Sequence, residues 1–196
     1  MKENYQKQLD AITFKLTNKP RLLLQSCCGP CSTYVLSYLT KYFDITLLYY
    51  NPNIQPREEY DLRLSNQRKV LAAMPEIHIL ECDYDGEAYD EAIRGLEAEP
   101  EGGDRCTVCF QLRLEETARR AAEGKFDYFC TTLTVSPHKD APRINTIGRA
   151  LEERYGVRWL PSDFKKREGY KQSITLSQEL GLYRQDYCGC LYSKNT

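Results

Sequence analysis

The stretch RLLLQSCCGPCSTYVLSYL, residues 21–39, decides the reading of the fold. Leu22, Leu23 and Leu24 form a short apolar run of the kind buried on both faces of a parallel sheet. From about Ser32 the pattern turns helical. In nucleotide-binding α/β proteins, a strand, a glycine-containing turn and a helix start of this sort cradle phosphate. Here the turn is CCGPC, and Cys27, Cys28 and Cys31 put sulfur where phosphate usually sits.

Working outward, strand patterns at 22–25, 45–50, 77–81, 128–132 and 157–160 alternate with helical ones. The helices fall at 32–42, 56–73, 109–122 and 144–155, with Pro56 suited to a first turn and Gly124 to a C-terminal stop. This alternation predicts a single α/β domain over 1–196, a parallel sheet with helices on both faces. The acidic stretch 83–104 reads as an insertion or cover with weak helical character. In such sheets ligands bind beyond the carboxyl ends of the strands. CCGPC, NPNIQP and TVSPHKD all occupy that edge, after the first, second and fourth strands.

The chain has 196 residues, 41% hydrophobic and 28% charged, with net charge −1, so no overall charge draws it to nucleic acid. The charge is unevenly spread. Between Glu81 and Asp104 ten acidic residues face one basic one, Arg94; between Lys139 and Lys171 nine basic residues outnumber five acidic ones. The second segment allows a polyanionic partner. No run approaches the roughly 20 apolar residues of a membrane span, and the first twenty residues lack the apolar stretch of a secretory signal. A cytoplasmic location with no membrane association is expected.

Nine cysteines are the unusual feature. Seven are clustered, as Cys27, Cys28 and Cys31, as the C-x-x-C pair Cys106 and Cys109, and as the C-x-C pair Cys188 and Cys190. An odd count without an export signal argues against a disulfide framework. The spacings fit structural zinc, an iron–sulfur cluster or thiol redox catalysis. Seven thiols exceed the four that one zinc or one cubane cluster needs, and adjacent Cys27 and Cys28 suit two neighbouring centres better than one ion. Cys82 and Cys130, in or beside strands, read as small packing residues.

Together, CC-x-x-C, YNPNIQPREEY, RCTVCFQLRLEETA, TTLTVSPHKD, GYKQS and YRQDYCGCLYS resemble the epoxyqueuosine reductases of the QueH type, over about residues 22–193. That resemblance implies a nucleotide α-hydrolase-like fold related to PP-loop enzymes. It also implies a cobalamin-independent reductase acting on tRNA that carries epoxyqueuosine at the wobble position, the last step of queuosine biosynthesis. The implied cofactor is a [4Fe-4S] cluster with a second metal, iron, beside it, and the seven clustered cysteines are the expected ligands. Some relatives carry an acidic residue where this chain has Cys31, which leaves the second metal's ligand set open at that position.

Removing an epoxide oxygen takes two electrons and two protons, so an external ferredoxin- or flavodoxin-like electron donor and positioned proton donors are expected. Candidate proton donors are Tyr187, His138 and Asp140. For the nucleotide, Asn51, Asn53, Arg57, Tyr60, Arg63, Ser136 and Lys139 offer amides, cations and an aromatic face. Two other classes stay open on the residues alone: a PP-loop-like tRNA sulfur-transfer enzyme, disfavoured by the lack of an SGGxDS-like motif, and a zinc protein that binds RNA.

Overall fold

The computed structural model describes residues 3–194. Five parallel strands, β1 (Arg21–Gln25), β2 (Asp44–Tyr49), β3 (His78–Glu81), β4 (Tyr128–Thr131) and β5 (Arg158–Trp159), lie in the order β3-β2-β1-β4-β5. Seven α-helices are present among the described residues: α1 (Tyr5–Phe14), α2 (Gly29–Leu39), α3 (Arg57–Ala72), α4 (Gly86–Ala92), α5 (Asp104–Glu123), α6 (Ala141–Tyr155) and α7 (Gly169–Glu179). The chain leaves β1 in one direction to build β2 and β3, then crosses back to place β4 on β1's other side. That reversal opens a crevice at the carboxyl ends of β1 and β4.

Side chains alternate across the pleat, so the Leu run of β1 serves two cores. Leu22 and Leu24 pack with Val35, Leu36 and Leu39 of α2 and with Tyr60, Leu64 and Val70 of α3. Leu23 faces Phe110, Leu114 and Ala118 of α5 and Ile144 and Ile147 of α6. Cys130 is fully buried in the first core, and half-buried Cys82 packs on the second, so both stand among apolar neighbours as expected.

Several boundaries differ from the sequence reading. Helix α2 begins at Gly29, so Cys28 is its N-cap and Cys31 lies in its first turn; Pro30 supplies a helical φ and lacks an N–H that would need a partner there. Helix α5 begins at Asp104, whose carboxylate suits the positive end of the helix, so both C-x-x-C thiols lie in its opening turns. Pro56 precedes α3 as its N-cap. Strand β5 is two residues long, although Leu160 still donates its N–H to Phe129 O. Helices α1 and α7 lie outside the ranges that the sequence pattern marks.

Candidate functional site

The crevice at the switch in strand order holds a cavity of about 390 Å³. Cys27, Cys31 and Cys188 line it together with Arg63, Arg113, Lys139, His138, Ser136, Gln185 and Tyr187. The sulfurs of Cys27, Cys28 and Cys31 lie within 4.8 Å of one another. They sit at the N-terminus of α2, where unpaired N–H groups and the helix dipole favour negative charge. The physics that serves a phosphate therefore serves a thiolate equally well.

One of the three thiols is favoured as the anion. Hydrogen bonds from Cys28 and Cys31 hold Cys27 well below its ordinary pKa of 9.0, against the opposing effect of burial, and Arg113 adds to the lowering. The same hydrogen bond to Cys27 pushes Cys28 up to about 12, and Cys31 is likewise raised by its bonds to Cys27 and Cys28. Thr132, just past β4, supports Cys27 from the other side of the switch; its Oγ1 is 3.4 Å from the Cys27 N–H and 3.7 Å from Sγ. Gln185 donates to Cys28 Sγ at 3.0 Å.

Of the two later pairs only Cys188 lines the cavity; Cys106, Cys109 and Cys190 lie off its wall. Cys109 is buried with Cys190, Tyr89 and Ile93, and burial pushes its pKa up to about 11. Tyr89, on α4, donates to Cys190 Sγ at 3.1 Å, so the acidic segment packs down over these thiols. The Gly102 N–H is 3.2 Å from Cys106 Sγ. Gly189 of the C-x-C pair has φ 110°, the left-handed region where glycine is tolerated, and its carbonyl accepts from Gln55 N–H at 2.9 Å. Among the described residues only Cys27, Cys28 and Cys31 form a mutually close trio; the other four clustered cysteines are not part of it.

The other predicted site residues divide into two groups. Arg63, Ser136, His138, Lys139 and Tyr187 line the cavity. Arg63 is buried; it pairs with Glu59 at 2.6 Å and donates to the carbonyls of Cys188 and Tyr187 at 3.1 and 3.2 Å, tying the C-x-C segment to α3. Lys139 Nζ lies 2.9 Å from both Cys188 Sγ and Glu101 Oε1. Burial disfavours its ammonium, but Cys188 and Glu101 outweigh burial and hold its pKa above the ordinary lysine value. Tyr187 donates its hydroxyl to Gln55 O at 2.8 Å.

Asn51, Asn53, Tyr60, Arg57 and Asp140 lie off the cavity wall. Asn51 is buried, donating to Ser26 O and accepting from Gln25. Asn53 is buried with both amide atoms unpartnered. Tyr60 is 3% exposed and donates to Cys82 O, so its ring belongs to the core rather than to a stacking surface. Arg57 is exposed beside Asp61. Asp140 caps α6 by accepting from Arg143 N–H.

Sequence reasoning passed over Arg113 and Gln185. Cys106, Cys109 and Arg113 recur at i, i+3 and i+7, one face of a helix, which is the signal that places Arg113 beside the sulfurs.

Free cysteines gathered at the switch point of a parallel α/β sheet define an α/β protein with a thiol cluster that could hold a metal ion. The family model for epoxyqueuosine reductase QueH matches residues 22–196. The epoxyqueuosine reductase QueH of Streptococcus pyogenes serotype M1 is 44% identical over 191 residues, covering 95% of this chain and 75% of that relative. Its Staphylococcus epidermidis counterpart is 41% identical, covering 98% and 85%, and that of Thermotoga maritima is 37% identical, covering 88% and 89%. The chain belongs to the QueH epoxyqueuosine reductase family and is an oxidoreductase acting in tRNA queuosine biosynthesis.

Proposed function

We propose that the thiol-lined cavity holds a [4Fe-4S] cluster with a second metal ion, iron, beside it, and that epoxyqueuosine in the anticodon of tRNA is reduced to queuosine there. The observation that carries this reading is the trio of sulfurs within 4.8 Å of one another at the switch point. The donor set fits such a group: the ligands are soft, two of the clusters begin helices, and a guanidinium atom without a partner is buried at the same cavity. Cys27, Cys28, Cys31, Cys106, Cys109, Cys188 and Cys190 would hold the two centres between them. When bound, these centres supply electrons singly and a Lewis acid for the epoxide oxygen.

The chain's own residues do the rest. Opening the epoxide and releasing its oxygen as water consumes two protons. Lys139 holds a proton on Nζ at the cavity wall, and His138 and Tyr187 line the same wall, so these three are the proposed donors. Asp140, one residue further on, fixes the start of α6 and with it the loop that carries His138 and Lys139. Arg63 and Ser136 would contact the entering nucleotide, while Asn51, Asn53 and Tyr60 would support the floor from behind and Arg57 would meet the RNA outside the cavity. The electrons come from an external ferredoxin- or flavodoxin-like donor, in a cytoplasm that keeps the free thiols reduced.

Anaerobically reconstituted protein, a chemical reductant and tRNA carrying epoxyqueuosine should yield queuosine on nucleoside mass analysis, with about four irons and four sulfides per cluster. Full activity in protein that contains equimolar zinc and no iron or sulfide would overturn the cofactor assignment.

A further inference from the structure

Arg113 is 2% exposed, and a guanidinium keeps its charge at any physiological pH. A buried charge is tolerated only with an anionic partner. Arg63, the other buried cation at the cavity, has one in Glu59 at 2.6 Å. Arg113 pairs with no carboxylate among the described residues. Its polar contacts are neutral and long: Nε to Cys109 O at 3.4 Å and Nη1 to Asn51 Oδ1 at 3.5 Å. Its Nη2 is buried without any hydrogen-bond partner, on a residue that lines the cavity with Cys27, Cys31 and Cys188. Burial opposes its charge, and the groups that favour it are first Cys109, then Cys188, Cys27 and Tyr89, so a cysteine of each of the three clusters is close enough to act on it.

We propose that Arg113 is a positioning residue for the metal centre: its fixed positive charge lies at the cavity wall with Cys27, Cys31 and Cys188, and its buried, unpartnered Nη2 N–H donates to anionic sulfur of the group bound there. This rests on the metal-centre reading above and adds a role for a residue that is not a ligand. Reduction of a thiolate-held centre by one electron adds negative charge beside Arg113, so the guanidinium favours the reduced state and raises the reduction potential; charge and hydrogen bonds to sulfur are known levers on cluster potentials. The electron itself comes from the external donor, and Arg113 neither gains nor loses a proton.

The test is an anaerobic redox titration of reconstituted full-length protein, followed by visible absorption and electron paramagnetic resonance, with iron and sulfide measured on each sample. Arg113→Met should shift the one-electron equilibrium about tenfold toward the oxidised state, a potential 59 mV more negative. Arg113→Lys, which keeps the charge, should stay closer to the parent than Arg113→Met. Arg113→Gln is a second neutral variant and carries the same expectation if Arg113→Met does not accumulate as folded protein. Folded neutral variants that lose the centre while Arg113→Lys keeps it would also support the charge role. Neutral variants that load iron and sulfide fully and titrate at the parent's potential would overturn it, as would an Arg113→Lys shift equal to that of Arg113→Met. Failure of the parent itself to take up iron and sulfide would instead overturn the metal-centre reading and this proposal with it.

Discussion

Contacts with Cys28 and Cys31 favour the thiolate at Cys27, and the contact with Cys27 favours the thiol at Cys28 and Cys31, which makes Cys27 the anchor of the trio. Removing that anchor should matter more than removing any other single thiol of the trio. Cys27→Ala is expected to lose most bound iron and all reductase activity, checked by iron and sulfide analysis beside the tRNA assay. Cys130 gives the contrast. Its sulfur is buried between Leu160 O and Ser162 Oγ, and burial raises its pKa from the ordinary 9.0 to about 12. The folded state therefore holds the Cys130 proton more tightly than the unfolded state does. Its stabilisation is complete below pH 9.0 and is lost as pH rises toward about 12. Cys130→Ala should keep iron and sulfide at parental levels and cost roughly 1 kcal/mol at neutral pH through a small cavity. It should also flatten the fall in melting temperature above pH 9.0, which thermal scans across that range would measure.

At the scale of elements, the cysteine loop is held in place by a close helix–helix approach. A Cβ on Gly29 would lie 2.8 Å from Asn66 O of α3, a backbone atom that cannot swing aside. Gly29→Ala should push the start of α2 off α3, cost on the order of 1–3 kcal/mol by overpacking, and reduce iron occupancy by separating the sulfurs. Denaturant unfolding and iron content would measure the two effects. The same elements mark how far the sequence could be read. β1, the helix after it and the placement of CCGPC followed from an apolar run and a turn, signals that are local and strong. Helix α7 was missed because its buried positions are Gly169, Ser173 and Ser177, small or polar residues at helical spacing, so hydrophobic periodicity had nothing to detect. Tyr60 looks like a stacking surface in the sequence, which shows an aromatic residue after a strand but not which side of the helix faces the core. Arg113 lay inside a motif whose cysteines drew the chemical reading, and its burial is a tertiary fact.

Over the whole molecule, the basic segment that sequence charge counting marks for RNA is largely paired off. Lys165 meets Asp163 at 2.6 Å, Arg167 meets Asp10 at 2.5 Å and Lys171 meets Glu168 at 3.5 Å. Arg184, exposed at the cavity, donates among the described residues only to Ser177 Oγ, at 3.3 Å. It is therefore the better candidate for a phosphate. Arg184→Glu should weaken tRNA binding more than Lys165→Glu does, and should reduce the dependence of log affinity on log salt by about one unit. Anisotropy titrations at several salt concentrations would check both. The topology also imposes an order of events on the newborn chain. Translation delivers Cys27, Cys28 and Cys31 with the first strand, but Cys188 and Cys190 only after all five strands have been synthesised. For most of synthesis the trio is exposed without the segment that closes over it, and Arg63 has no carbonyls of Tyr187 and Cys188 to hold. A site that draws on all three clusters is therefore completed only at the end of synthesis, and a ribosome stalled before Cys188 would display the three thiols of the trio without the segment that covers them.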